Sequence, residues 1–303
     1  MPSEILVIAG PTAVGKTALS LLLAERDGAE IISADSRQVY QGMDIGTAKP
    51  SPAELKRVSH HLIDIIDPGQ AYSAAAFARQ ARQTMDELDL QGKKYLIAGG
   101  SGLYLKALIE GLAKMPSADE QYRNQLKALS DEKGREHLHG LLKKIDPEAA
   151  ARLSPKDRVR LVRALEIFHL TGRTLSQWFR EQRDKDHRRY RLVILDMDRE
   201  SLYQRIEKRV DQMLEQGLVS EVKTLVSKGF GPDAPGMKTV GYQEMLSYLL
   251  GNCDLPSALA EIKLNTRHFA KRQLTWFRKM DFDQWITIAE KENIGDLAHK
   301  LSL

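Results

Sequence analysis

The chain has 303 residues, 42% of them hydrophobic and 28% charged, enough apolar material for a substantial core in one large domain or two smaller ones. A net charge of +4 does not by itself announce a nucleic-acid binder. The single cysteine, Cys253, excludes an intrachain disulfide and the cysteine-rich zinc sites, and it suits a reducing compartment.

Taken in chain order, residues 5–9 (ILVIA) form a short apolar run ending at Gly10, the pattern of a parallel strand buried on both faces. The run is too short for a signal-peptide core, and no stretch approaches the roughly 18 apolar residues of a membrane span. A soluble, cytoplasmic protein is expected. A helix comes next from Thr17 to Glu25, then a strand at 29–33, and a loop rich in Gly, Thr and Pro from Gln41 to Pro52. His61 to Ile66 reads as another strand. His60 and His61 are adjacent, so in extended chain they would point to opposite faces and cannot chelate one metal. Ala74 to Leu90 has helical spacing, with Phe77, Ala81, Met85 and Leu88 on one face. Tyr95 to Ala98 is a strand, and Gly99-Gly100-Ser101-Gly102 turns it into a helix from Leu103. Strands alternating with helices predict a parallel sheet covered on both faces.

The alternation stops near Met115-Pro116, and from there to about His187 the pattern is helical. Residues 116–188 carry 16 basic and 12 acidic residues, so the whole positive excess lies in this block, as expected of a segment facing an anionic partner. A solvated helical surface would look the same. Arg191 to Met197 is again a strand, succeeded by amphipathic patterns at 199–216, 218–228 and 256–280 and a closing edge strand from Gln284 to Ile288. The last long helix carries Lys263, Arg267, Lys271 and Arg278 as a basic stripe, which either faces an anionic partner such as RNA, since like charges are disfavoured without one, or is the solvated face of a helix whose apolar side packs on the core.

Gly10-Pro11-Thr12-Ala13-Val14-Gly15-Lys16-Thr17 fits G-x-x-x-x-G-K-[ST], between a predicted strand and a predicted helix. Such a loop turns backbone N–H groups inward to cradle anionic oxygens, and the helix N-terminus adds partial positive charge. Lys16 places a full charge on a terminal phosphate, and the Thr17 hydroxyl can ligate Mg²⁺. The expected class is therefore α/β: a P-loop NTPase-like parallel sheet core flanked by helices, built from 1–115 and 189–303, with an all-helical insertion at 116–188. The loop marks polyphosphate, not a reaction, since ATP-binding kinases, ATPases and GTPases all use it.

The segment after the second strand is more specific. Residues 33–40 (SADSRQVY) lead into 42–50 (GMDIGTAKP), and with GPTAVGKT, HHLIDIIDP, GGSGLYLKAL, RVRLVRALEIF, RIEKRVDQML, KTVGYQEM and TRHFAKRQLTWFR they run along nearly the whole chain. In these the chain resembles the tRNA dimethylallyltransferase (tRNA isopentenyltransferase) family, with Ser101 standing where that family usually has Thr. The resemblance implies a helical insertion that grips the anticodon stem-loop, and dimethylallyl diphosphate, tRNA and Mg²⁺ as the reactants and cofactor. It implies transfer to N6 of the adenosine at position 37, just 3′ of the anticodon, with release of diphosphate. The oligomeric state is open, with a monomer as the default expectation.

The acceptor amine of adenine is a weak nucleophile that becomes acidic as it attacks carbon, so a nearby carboxylate can take its proton. Asp35 lies just past the second predicted strand, at the edge where open α/β sheets bind ligands, and it matches the family's base. The plain alternative is a turn-forming Asp bonded to its own backbone. Arg209 matches a family arginine on the diphosphate; otherwise it reads as a solvated helix residue. By the resemblance, RNA contacts fall to Asp35, Ser36, Arg37, Gln38, Ser101 and Arg123. They continue through Val159, Arg160, Leu161, Val162 and Arg163, and then Lys238, Thr239, Val240, Gly241, Tyr242 and Gln243. Arg160 and Arg163 suit phosphates. The competing readings are a P-loop nucleoside or small-molecule kinase with residues 116–188 as a lid, a non-catalytic RNA-binding protein, and an adenylate prenyltransferase acting on free nucleotides. The kinase leaves 33–50 unexplained, and a free nucleotide needs no basic platform.

Overall fold

The computed structural model describes residues 4–113, 115–180, 186–289 and 294–303; residues 181–185 of the expected insertion lie outside these. The chain divides into two compact units, Met1–Ile109 with Asp186–Leu303, and Glu110–Lys185.

The first unit is built on a six-stranded sheet, all parallel. In chain order it contains β1 (Ile5–Ala9), α1 (Lys16–Asp27), β2 (Ala29–Ser33), α2 (Pro52–Arg57), β3 (His60–His61), α3 (Ala74–Leu90), β4 (Lys94–Gly99) and α4 (Gly102–Ile109). The strand order across the sheet is β3-β2-β4-β1, continued by β5 (Tyr190–Met197) and β6 (Gln284–Ile288). β1 is buried along its whole length, as its unbroken apolar run requires. β2, β4 and β1 are neighbours and end in step, with Ser33 opposite Ala98 and Ala9 opposite Gly99. The loops that leave them therefore emerge side by side at the carboxyl edge of the sheet.

The segment from His61 to Ile66 is not a strand. Only His60 and His61 pair with β2, and Leu62 and Asp64 then take left-handed φ of 62° and 56°, which no strand accommodates. The apolar residues there serve the core instead: Ile65 and Ile66 pack against a cluster built on Val39, Met43 and Tyr242. Helix α2 lies at the end of what reads as loop, and Ser51 and Glu54 form a capping box at its start.

The described residues of the insertion form α5 (Glu120–Lys133), α6 (Arg135–Ile145), α7 (Pro147–Arg152), α8 (Arg158–Thr171) and α9 (Leu175–Arg180). They pack around Leu138, Leu142, Leu161 and Leu165. At its centre the fully buried carboxylate of Glu166 accepts from Asp119 N at 2.7 Å, Arg123 Nε at 2.8 Å and Arg163 Nη1 at 2.5 Å. Arg163 also donates to the Pro116 carbonyl at 2.7 Å. Burial opposes the Glu166 charge, but these bonds outweigh it and hold its pKa below the ordinary glutamate value. The triad joins α5, α8 and the entry segment of the unit.

Back in the sheet unit come α10 (Arg199–Glu215), α11 (Leu218–Ser227), α12 (Tyr242–Leu249), α13 (Leu255–Phe277) and α14 (Ile294–Lys300). Removing one member of a buried ion pair leaves an uncompensated charge, so Glu166→Ala is expected to cost about 3–5 kcal/mol in a urea melt. Because the folded pKa is depressed, the Glu166 contribution is present above the unfolded glutamate value and is lost as pH falls through the folded one. The difference between wild type and variant should therefore shrink on acidification.

Candidate active site

A cleft of about 690 Å³ opens in the sheet unit, between the loop after β1 and residues 44–54. The loop 10–15 is shaped by its glycines. Gly10 has φ 149°, and a Cβ there would sit 2.5 Å from the Leu195 carbonyl oxygen. Gly15 has φ 111° and starts α1 without any side-chain cap, so the first amides of that helix are left for an anion. Val14 is fully buried and anchors the loop to the core. Thr12, Ala13, Gly15, Lys16 and Thr17 line the cleft, whereas Gly10 and Pro11 are buried and act through their backbone.

Lys16 Nζ donates to the Pro11 carbonyl at 2.7 Å. Burial lowers its pKa to about 8, Asp35 working against the shift and Arg209 with it. Arg209 lines the cleft, and its Nη1 reaches Thr12 Oγ1 at 3.4 Å. It is therefore not the solvated helix residue that its surface-like spacing allowed. Arg37 also lines the cleft and lies over the Phe269 ring, 3.8 Å from its centroid. Burial pushes both guanidinium groups below their ordinary value while Asp35 acts the other way. One carboxylate, Asp35, thus sits in the field of three cations.

Asp35 lies just beyond β2 and lines the cleft, and its Oδ1 accepts from Arg37 N at 2.9 Å. The two readings of this residue coincide: it makes the Asx turn and faces the site. Next to it, Ser36 N donates to Ser101 Oγ at 2.8 Å, the two hydroxyls being 3.0 Å apart. The serine at 101 retains a working hydroxyl. Gln38 accepts from Ser33 Oγ at 3.1 Å and donates to the Ala48 carbonyl at 3.2 Å, holding the loop that closes the cleft.

That loop has two further anchors. Glu221 on α11 accepts from the N–H groups of Asp44, Ile45 and Gly46 at 2.9, 2.8 and 3.1 Å, and from Tyr242 Oη at 2.6 Å. Lys49, its side chain 3% exposed, donates to the Tyr40 carbonyl and Asp44 at 2.6 Å each and also to Asp64. A Cβ at Gly46 would come within 2.5 Å of the Tyr242 ring. Tyr242 and Thr239 are accordingly wall and core residues, Val240 and Gly241 line the cleft, and Lys238 and Gln243 are exposed beside it.

In the insertion, Arg123 and Arg163 are held by Glu166, and Leu161 and Val162 are core. Val159 and Arg160 are exposed. The basic stripe of α13 is partly neutralised: Lys263 pairs with Asp211 at 2.6 Å and Arg267 with Glu207 at 2.9 Å. Its charge therefore does not by itself demand an anionic partner.

Comparison with known proteins settles the family. The family model described as IPP transferase matches residues 38–280. The chain belongs to the IPP transferase family. Among IPP transferase relatives, tRNA dimethylallyltransferase 2 of Geotalea uraniireducens is 47% identical, covering 95% of this chain and 93% of its own. The tRNA dimethylallyltransferase of Thermotoga maritima is 44% identical, covering 98% and 96%. The crystal structure of tRNA isopentenylpyrophosphate transferase from Bacillus halodurans is similar with a TM-score of 0.71 at 41% identity, covering 98% of this chain and 95% of that one. A eukaryotic dimethylallyltransferase caught acting on tRNA gives a TM-score of 0.78 at 28% identity, covering 96% and 74%. The IPP transferase match begins after the phosphate loop, whereas the Thermotoga maritima relative covers 98% of this chain.

Because anion binding favours the protonated lysine, inorganic diphosphate should bind well below pH 8 and weaken as pH rises through about 8, approaching tenfold per unit beyond it. Titration calorimetry across pH 7–9.5 checks this, and Lys16→Ala should remove the dependence. Glu221→Gln replaces an acceptor of four donors by a group that must turn an NH₂ toward N–H groups. It should lower the melting temperature by several degrees, at a cost of about 2–3 kcal/mol.

Proposed function

We propose that this protein transfers a dimethylallyl group from dimethylallyl diphosphate to N6 of adenosine 37 in tRNA, releasing diphosphate. The observation that carries the reading is the meeting of Asp35 with the phosphate loop, Lys16 and Arg209 in one cleft, in a chain of this family. The loop amides, Lys16 and Arg209 hold the diphosphate and neutralise the charge that develops as the C–O bond breaks. The adenine amine attacks the allylic carbon, and Asp35 takes the proton that the amine loses. Arg37, stacked on Phe269, lines the cleft with it, where a base taken out of its loop would be read.

A Mg²⁺ ion belongs to the proposal. No group of three His, Cys, Asp or Glu side chains among the described residues could hold a metal. Thr17 lines the cleft, and Mg²⁺ commonly takes one or two protein oxygens together with diphosphate oxygens and water, so the residues present fit it. When bound, it supplies charge neutralisation at the leaving group. Among the described residues no helix is long and apolar enough to cross a membrane, in keeping with a cytoplasmic enzyme working on tRNA. A monomer is the simplest state.

The test uses purified protein, Mg²⁺, unmodified tRNA and labelled dimethylallyl diphosphate, with and without ATP. Label should enter tRNA without ATP. ATP turnover on a nucleoside panel with no label in tRNA would instead make the chain a kinase, and label in free adenylate would make it a nucleotide prenyltransferase. Asp35→Asn should slow transfer by about 10²–10⁴-fold while tRNA binding, read by filter retention, is spared.

A further inference from the structure

We propose that Gln273 is a positioning residue that registers the diphosphate cradle against Asp35, an inference that rests on the prenyl-transfer reading above. Gln273 sits on α13, is 7% exposed and lines the cleft. Its carboxamide spans two loops. Oε1 accepts from Thr12 N at 2.9 Å, and Nε2 donates to the Gly100 carbonyl at 2.9 Å. Only one orientation of the amide satisfies both, because a flip would set NH₂ against N–H and oxygen against carbonyl oxygen. A Cβ at Gly100 would collide with this amide, so the glycine there is what admits it.

The connection continues on the far side. Ser101, next to Gly100, accepts from Ser36 N at 2.8 Å. Ser36 adjoins Asp35, whose Oδ1 accepts from Arg37 N at 2.9 Å. An unbroken path of hydrogen bonds and single peptide links therefore runs from the tip of the phosphate loop to the proposed base. The sheet places the ends of β1, β4 and β2 in step, but the loop tips reach beyond the strands, and Gln273 is the side chain that ties two of them together. Transfer needs leaving oxygen, allylic carbon, acceptor nitrogen and base held in one line. A misplacement of about 1 Å can cost on the order of 10²-fold in rate.

A group that only filled the core would, when removed, weaken stability and both substrate affinities together. A positioning group slows the chemical step and spares binding. The test compares the full wild-type chain with Gln273→Met, close in size but lacking both bonds, and Gln273→Glu, which keeps the acceptor for Thr12 N and sets a carboxylate against the Gly100 carbonyl. Four readouts are taken: single-turnover transfer from dimethylallyl diphosphate to unmodified tRNA, Kd for inorganic diphosphate, Kd for tRNA, and the melting temperature. Both variants should transfer about 30–100-fold more slowly, with each Kd within about threefold of wild type. Transfer at the wild-type rate, or losses confined to the two Kd values and the melting temperature, overturns the proposal. So does failure of both variants to fold, which would make Gln273 a core group; if only one folds, its rate and Kd values decide. Wild-type protein that labels no tRNA overturns the activity reading itself and this inference with it, an outcome separate from any ratio of variant to wild type.

Discussion

The cleft depends on three neighbouring parallel strands, β2, β4 and β1, stopping in step. Parallel pairing sets Ser33 opposite Ala98 and Ala9 opposite Gly99, and the buried apolar runs of β1 and β2 hold these strands in the middle of the core. The loops after β1 and β2 then bring a phosphate cradle and a carboxylate to the same edge. The GGSG turn after β4 stands between them, and its glycines allow the close approach: a Cβ at Gly99 would collide with Ala34, and one at Gly102 with the Trp276 ring. Side chains from α10, α11 and α13 complete the site, through Arg209, Glu221 and Gln273 in turn.

Electrostatics then set what the cleft can hold. Lys16, Arg37 and Arg209 crowd around Asp35, and the two arginines together with the lysine feel burial more strongly than its attraction. Like charges held this close in partial burial favour an anionic ligand, and a diphosphate answers that need. Glu166 shows the opposite arrangement in the insertion, where a buried carboxylate consumes two arginines for structure.

The parts most legible in the sequence were those with short-range physics. The phosphate loop, the strands at 5–9, 29–33 and 284–288, and the helix from Ala74 to Leu90 stem from periodicity and glycine placement. His61 to Ile66 misled because its apolar residues face core from an irregular segment, and nothing local marks the left-handed φ of Leu62 and Asp64. The capping box of α2 was missed, although Ser51 and Glu54 beside Pro52 carry its signature. Glu221 carries no local signal: a lone glutamate on an amphipathic helix looks solvated, and its backbone partners are 175–177 residues away in sequence, with Tyr242 21 residues away. Gln273 does carry one. It occupies the buried stripe of α13 with Ile262, Ala270 and Phe277, where a polar side chain calls for partners. The loss of Arg123 and Arg163 to Glu166 was hidden because their spacing to it, 43 and 3 residues, suggests no triad.

The central claim is that one carboxylate and one phosphate cradle act on two substrates in a single cleft. A crystal structure with inorganic diphosphate and an anticodon stem-loop tests it most directly. The account predicts diphosphate on the first amides of α1, Lys16 moved from the Pro11 carbonyl onto it, and the exocyclic amine of the extruded adenine within hydrogen-bond reach of Asp35. Adenine bound away from Asp35, or diphosphate bound away from Lys16, would contradict it.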